Sequence, residues 1–166
     1  MKKILSLILC MSVLMLIPFD GAAQKKSPKD TEQFRYEIEG VSNGAQGTYS
    51  VRVWTYSGTK NVNFEVCKKN AVHAIIFKGY AGSGQVRPQQ PLVKEPGAEV
   101  THADYFKMFF ADGGEYNKYV TITAGSQEIV KVGKQYKIGL IVSVSKDMLR
   151  KALENAGIVR SLSSGF

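Results

Sequence analysis

The chain has 166 residues, of which 44% are hydrophobic, and 22 lysines and arginines outnumber 14 acidic residues, giving a formal net charge of +8. This length is typical of one domain with a buried core. Two cysteines are too few for a disulfide-rich fold, and the basic residues are scattered along the chain, which disfavours a nucleic-acid-binding protein.

The first 23 residues have the three parts of a cleavable signal peptide. Lys2 and Lys3 precede an apolar run over residues 4–19, and small residues follow at positions 21–23. The run is shorter than the roughly 20 residues that a membrane-spanning helix needs. We therefore expect cleavage after Ala23 and export of the remainder, with an uncleaved membrane anchor as the alternative.

The processed chain is expected in the periplasm, at the outer membrane or outside the cell. Residues 24–33 form a polar leader, and residues 34–166 form a single domain without a transmembrane segment. Cys10 lacks the small residues that precede an acylated lipoprotein cysteine, so Cys67 is the one thiol left after cleavage, and the domain folds without an internal disulfide. Loss of residues 1–23 changes the net charge from +8 to +7, which favours acidic partners or simply solubility.

The first two elements are predicted to form a β-hairpin. Phe34, Tyr36 and Ile38 alternate with charged residues, which predicts a strand that ends at Gly40. The β-branched and aromatic run 49–56 (YSVRVWTY) predicts the second strand. The loop between them contains Asn-Gly, which fits a hairpin connection.

A helix and a third strand are predicted next. Thr59 or Asn61 is the expected N-cap of the helix. Helical spacing places Phe64, Cys67 and Ala71 on the inward side of this helix. Three lysines lie on its outward side, at positions 60, 68 and 69. The apolar run 72–80 fits a continued helix or a buried strand, and we favour the strand because Ile75, Ile76 and Phe77 crowd together beside Gly79.

The second half of the chain begins with a long irregular segment. Residues 81–100 contain six glycines and prolines without periodicity, which predicts a functional or mobile loop. An aromatic-rich helix capped by Thr101 runs to Asp112. Strands follow at 119–123, 128–132 and 135–145, and Ser145 caps a last helix over 146–155, which ends at Gly157 and whose apolar face is Met148, Leu149, Ala152 and Leu153.

This order of elements predicts an α+β fold, with a mostly antiparallel sheet and two or three helices packed against one face. The sequence has no Gly-x-Ser-x-Gly elbow, Walker motif or His-Glu-x-x-His motif. His102 and Asp104 would point apart on a helix, and zinc needs three or four protein ligands. No metal and no cofactor is predicted.

Cys67 and His73 are the one nucleophile–base pair available for catalysis. Six residues separate them, so on one continuous helix their side chains would face different directions. Cys67 also lies on the apolar side of its predicted helix. A buried structural cysteine is therefore preferred over a thiol hydrolase.

Aromatic and basic residues around the long loop form the candidate binding surface. Some of these aromatic residues are expected in the core, and any that remain exposed would contact a ligand. The candidate binding residues are Tyr80, Arg87, Lys94, Tyr105, Phe106, Lys107 and Phe109. Such a surface suits an envelope protein, a peptide or a glycan, and no nucleic-acid partner is expected for an exported protein.

Residues 136–153 resemble the last part of small α+β domains of exported envelope proteins. The strand IGLIVSVS runs into the capped helix KDMLRKALE, as in lipoprotein and flagellar-accessory families of double-membrane bacteria. The resemblance implies a non-enzymatic envelope role. The sequence therefore predicts an exported binding or assembly module, with a thiol hydrolase using Cys67 and His73, or a small-ligand carrier, as alternatives.

Overall fold

Five antiparallel strands form one open sheet in the structure, a computed structural model that describes residues 31–82 and 84–161. The predicted signal peptide, residues 1–23, lies outside the described residues. The strands are β1 Thr31–Ser42, β2 Tyr49–Ser57, β3 Val120–Ile122, β4 Glu128–Val132 and β5 Gln135–Val144. Their order is β1-β2-β5-β3, and β4 pairs with β5 beyond the end of β3, along the same edge.

The helices are α1 Phe64–Phe77, α2 Ala98–Thr101, α3 Ala103–Phe109 and α4 Lys146–Asn155, with a 3-10 helix at Glu115–Tyr119. Their buried side chains share one core with a single face of the sheet. The predicted α+β fold is thereby confirmed. No helix among the described residues is both long and apolar enough to cross a membrane.

Alternation in β2 and in residues 140–144 of β5 shows which face of the sheet is buried. Val51 and Val53 of β2 and Leu140 and Val142 of β5 are fully or almost fully buried, while the residues between them on β2 are part-exposed. A period of two in burial is what a strand shows when one face packs on the core. Burial of each such side chain stabilises the fold by roughly 1.5–3 kcal/mol.

β1 begins at Thr31, three residues before the alternation that predicted it. The pairing with β2 runs in register from Tyr36↔Thr55 to Gly40↔Val51 and is irregular before Tyr36. Phe34 lies in this irregular part with a φ of 61°, and its amide donates to Oδ1 of Asn70 on α1 at 2.6 Å. This bond ties the start of the sheet to the helix.

The strand predicted over residues 72–80 is wrong, because α1 continues to Phe77. Residues 71–76 are all buried, so the helix has no polar side there and its apolar pattern loses the helical period. The amides of Leu92 and Val93 donate to the carbonyl oxygens of Ile75 and Ile76 at 3.1 and 2.9 Å. Carbonyl groups in the last turn of the helix are thus satisfied by the following loop.

Several smaller predictions around the helices are also corrected. The N-cap of α1 is Asn63, whose side chain accepts from the amide of Val66, and not Thr59 or Asn61. Lys69, predicted to face outward, is buried, and Phe64, predicted to face inward, is exposed. The helix expected from Thr101 to Asp112 is two short helices that meet at His102, and Met148 is exposed instead of facing the core.

The long loop is held to the domain at defined points. Tyr80 and Gln89 exchange two backbone hydrogen bonds of 3.0 and 2.9 Å, and Leu92 and Val93 are buried. Gly79 makes this return possible, because its φ is +67° and a Cβ there would lie 2.1 Å from the carbonyl oxygen of Gln89. Other bounds agree with the sequence, since β4 and α4 span the predicted residues.

Candidate functional site

The seven candidate binding residues are spread over the core and several surface regions. Tyr80, Phe106 and Phe109 are buried, so they offer a ligand little surface. The four others are more accessible. Lys94, Tyr105 and Lys107 line three separate recesses, of about 400, 560 and 330 Å³, and Arg87 is exposed on the loop. A role for these four residues in binding stays a prediction.

Cys67 and His73 are not paired with each other. Cys67 is fully buried, and burial raises the pKa of its thiol, although a hydrogen bond with Thr55 acts in the opposite direction. Both ring nitrogens of His73 have other partners, Tyr36 and Glu99. Thiol catalysis needs an accessible thiolate with a base in reach. This arrangement therefore gives no support to the hydrolase alternative.

His73 instead joins three elements of the fold. The hydroxyl of Tyr36 on β1 lies 2.6 Å from Nδ1, and Oε1 of Glu99 on α2 lies 3.2 Å from Nε2. A neutral ring with its proton on Nε2 satisfies both contacts, because Tyr36 then donates to Nδ1. Burial lowers the pKa of His73, while Glu99 opposes that change and the Phe34 ring stacks on the imidazole.

Neither His102 nor Asp104 belongs to a metal site in the described part of the chain. No group of three or more histidine, cysteine, aspartate or glutamate side chains lies close enough there to hold a metal ion. His102 is the residue between α2 and α3, and its amide closes the turn of α2.

The face of the sheet that points away from the core is lined by aromatic and charged side chains. Each of them is half-buried or exposed, so no described element covers this surface. We call it the Trp54 face, and its members are Glu37, Glu39, Arg52, Trp54, Tyr56, Glu128 and Lys137. The register of β1, β2, β5 and β4 brings them together from four strands.

Trp54 lies at the centre of this face and is the one tryptophan in the chain. It stands directly across from Gly139 of β5, and a Cβ at Gly139 would lie 2.7–2.9 Å from three carbons of its six-membered ring. The indole therefore lies on the glycine backbone. Its Nε1 donates to Oε1 of Glu39 at 3.1 Å, which fixes the orientation of the ring.

Charged groups surround the indole in opposite-sign pairs. Nζ of Lys137 lies 2.7 Å from Glu37 and 5.0 Å from the centroid of the Trp54 ring. Arg52 lies 3.4 Å from Glu39, and its guanidinium carbon is 5.6 Å from the same centroid. Hydrogen bonds from Lys137 and then Tyr56 lower the pKa of Glu37. The charged and aromatic side chains of the face thus contact one another.

One signal of this face is present in the sequence of β2. Alternation in YSVRVWTY places Arg52, Trp54 and Tyr56 on the side opposite to Val51 and Val53. A tryptophan on the polar side of a strand is a candidate contact residue. The role of Gly139 depends on the pairing of β2 with β5, which the sequence alone does not give.

Comparisons with protein-family models, with curated proteins and with solved structures found no match to this chain. The resemblance of residues 136–153 to exported envelope domains therefore stays a prediction.

Proposed function

We propose that the protein is an exported, non-catalytic binding or assembly module of the cell envelope, and that the Trp54 face is its contact surface. The observation that carries the proposal is the position of Trp54, which lies flat on Gly139 in the middle of an uncovered sheet face. A large aromatic ring that is half-buried and held at a fixed position gains further burial when a partner covers it.

The composition of the face supports a macromolecular partner. Trp54, Tyr56 and Arg52 are the residue types that contribute most binding energy in protein interfaces. The aromatic rings offer large contact areas with few rotatable bonds, and the surrounding ion pairs supply donors and acceptors. Four strands at their usual spacing make an open surface about 14 Å wide, whereas small ligands are usually held in concave pockets.

Export is supported by the N-terminal pattern of two lysines, an apolar run and small residues. In the envelope, the partners available to such a module are envelope proteins, peptides and glycans. The mature net charge of +7 adds long-range attraction to acidic partners.

Photo-cross-linking in the cells that make the protein tests this function. A benzophenone side chain replaces Tyr56 on the Trp54 face, and in the matched control it replaces Phe64, an exposed aromatic residue at the start of α1. We expect a discrete adduct from position 56, none from position 64, and loss of the adduct when Trp54→Ala is added. Equal adducts at both positions, or an adduct that persists without the indole, would overturn the proposal.

A further inference from the structure

We propose that the outer edge of β4 is a second binding site, which accepts an extended acidic segment of a partner protein as an additional strand. This site is the free backbone edge of β4, and it shares Glu128 with the Trp54 face but does not include the indole. The inference stands on the exposure of β4, on the charges beside it and on the side chains that a new neighbour would meet.

β4 lies at the limit of the sheet. Within residues 31–82 and 84–161 it pairs only with β5, and all five of its residues are exposed. Three of them are apolar, and Ile129, Val130 and Val132 are 38%, 42% and 47% exposed. An edge strand has unpaired backbone donors and acceptors, which is the surface used in β-strand addition.

The two sides of β4 differ in chemistry. Ile129 and Lys131 share a side with Tyr136, and with Lys60 they line a recess of about 440 Å³. Glu128, Val130 and Val132 point to the other side. A strand added at this edge would alternate in the same way. It would meet a lysine-lined recess on one side and valines on the other.

Positive charge around the edge of β4 favours an acidic partner segment. Lys60, Lys131 and Lys134 form no ion pair with any described residue, although Lys60 lies 5.9 Å from the centroid of the Tyr136 ring. The one acid of the strand, Glu128, is near Arg52 at 4.0 Å. Carboxylates that alternate with β-branched residues therefore complement both sides of β4.

A second copy of this chain fits the edge less well. Antiparallel pairing of two β4 strands about Val130 would place Lys131 of each copy on the same side of the sheet, one diagonal apart. The lysines at position 134 would add to that repulsion. Residues 24–30 of the chain are a poor match as well, because they contain three lysines and one aspartate.

NMR titration of the exported, processed protein tests the site. The probe is the peptide Ac-EVETEVE-NH2, and its controls are Ac-KVKTKVK-NH2 and two forms of the acidic peptide with N-methyl groups on alternate residues. We expect amide shifts concentrated at residues 128–132 and 134, no binding of the lysine peptide, and loss of binding for one of the two N-methylated forms.

A matched pair of charge variants completes the test. Lys131→Glu with Lys134→Glu should weaken binding of the acidic peptide roughly three- to tenfold. Lys118→Glu with Lys151→Glu makes the same charge change at exposed positions elsewhere and should leave the affinity unchanged. Trp54→Ala should also leave it unchanged, which separates this site from the Trp54 face.

Four results would overturn the inference. These are the absence of shifts at millimolar peptide, equal binding of both N-methylated forms, equal weakening by the two charge variants, and shifts at β4 that depend on protein concentration without peptide. The second and third would indicate attraction by charge alone. The fourth would indicate that a second copy occupies the edge.

Discussion

Gly139 supports the indole of Trp54 directly, because a methyl group in place of its hydrogen would lie 2.7 Å from the ring carbon Cζ3. The pair joins neighbouring strands β2 and β5 and sets the height of the ring above the sheet. Any side chain at position 139 would lift the ring. The position of the ring on the Trp54 face therefore depends on this glycine as much as on the tryptophan.

Gly139→Ala is expected to displace Trp54 and to destabilise the protein by about 1–3 kcal/mol, the usual cost of an extra methyl group in a packed site. The emission maximum should move to longer wavelength as the ring enters water, and the chain has no second tryptophan to mask the shift. Ser143→Ala, on the same side of β5, should leave the emission unchanged. An unaltered spectrum for Gly139→Ala would show that the ring does not lie on the glycine.

The pH dependence of stability is expected to report on His73. Burial holds its pKa below the ordinary value of 6.5, so the unfolded chain takes up a proton at a higher pH than the folded protein does. The free energy of unfolding should therefore fall as the pH drops below about 6.5, by at most about 1.4 kcal/mol per pH unit. Urea denaturation between pH 7.5 and 5.5 measures this.

Two variants identify the group responsible for that slope. His73→Gln should remove the slope. Glu99→Gln should increase the loss of stability at low pH. The reason is that Glu99 raises the pKa of His73, whereas Lys78 lowers it. Glu95→Gln, an exposed neighbour, is the control. The same slope in His73→Gln as in the wild type would exclude His73 as its source.

Substitutions at Lys69 and at Asp112 are expected to change the stability of the fold by different amounts. Lys69 is 4% exposed, and its Nζ lies 2.7 Å from Oδ1 of Asp112, whose own side chain is fully exposed. Asp112→Asn leaves a buried ammonium beside the Tyr116 ring without its carboxylate, so it should destabilise the fold. Lys69→Met removes the charge and should remain within about 1 kcal/mol of the wild type.

Denaturant unfolding of both variants, with Asp104→Asn as an exposed control, shows which substitution lowers the free energy of unfolding more. If Lys69→Met proves more destabilising than Asp112→Asn, the ammonium contributes more than its burial costs, contrary to this account.

The thiol of Cys67 is expected to be unreactive in the native protein. It is fully buried and burial raises its pKa, so both access and thiolate content are low. A thiol reagent should label the exported protein only after unfolding in guanidinium chloride. Met108→Cys places a thiol at an exposed position and should react in the native state. Rapid native labelling of Cys67 would revive the hydrolase alternative.

Elements bounded by local chemistry were predictable from the sequence. β4 and α4 have the predicted ends because Gly133 and Gly157, which follow them, adopt the positive φ values that terminate each element. The hairpin of β1 and β2 was predictable for a similar reason, since its alternation matches the pleat of a half-buried sheet.

Features that depend on tertiary packing were missed. Residues 72–77 look like a strand because α1 is buried on all sides there, which removes the helical period. Lys69 looks solvent-facing until Asp112, far along the chain, is brought to its ammonium. The sequence predicts a binding surface around the long loop and the aromatic helix that follows it, yet two phenylalanines of that helix, Phe106 and Phe109, complete the core.

Hydroxyl-radical footprinting of the protein in intact cells and after purification tests the Trp54 face most directly. Met108 and Met148 are 77% and 59% exposed away from this face and serve as internal references. We predict that oxidation of Trp54 is several-fold slower in the envelope than in the purified protein, while both methionines react alike in the two samples. Oxidation of Trp54 at the same rate in both samples would contradict a binding role for this face.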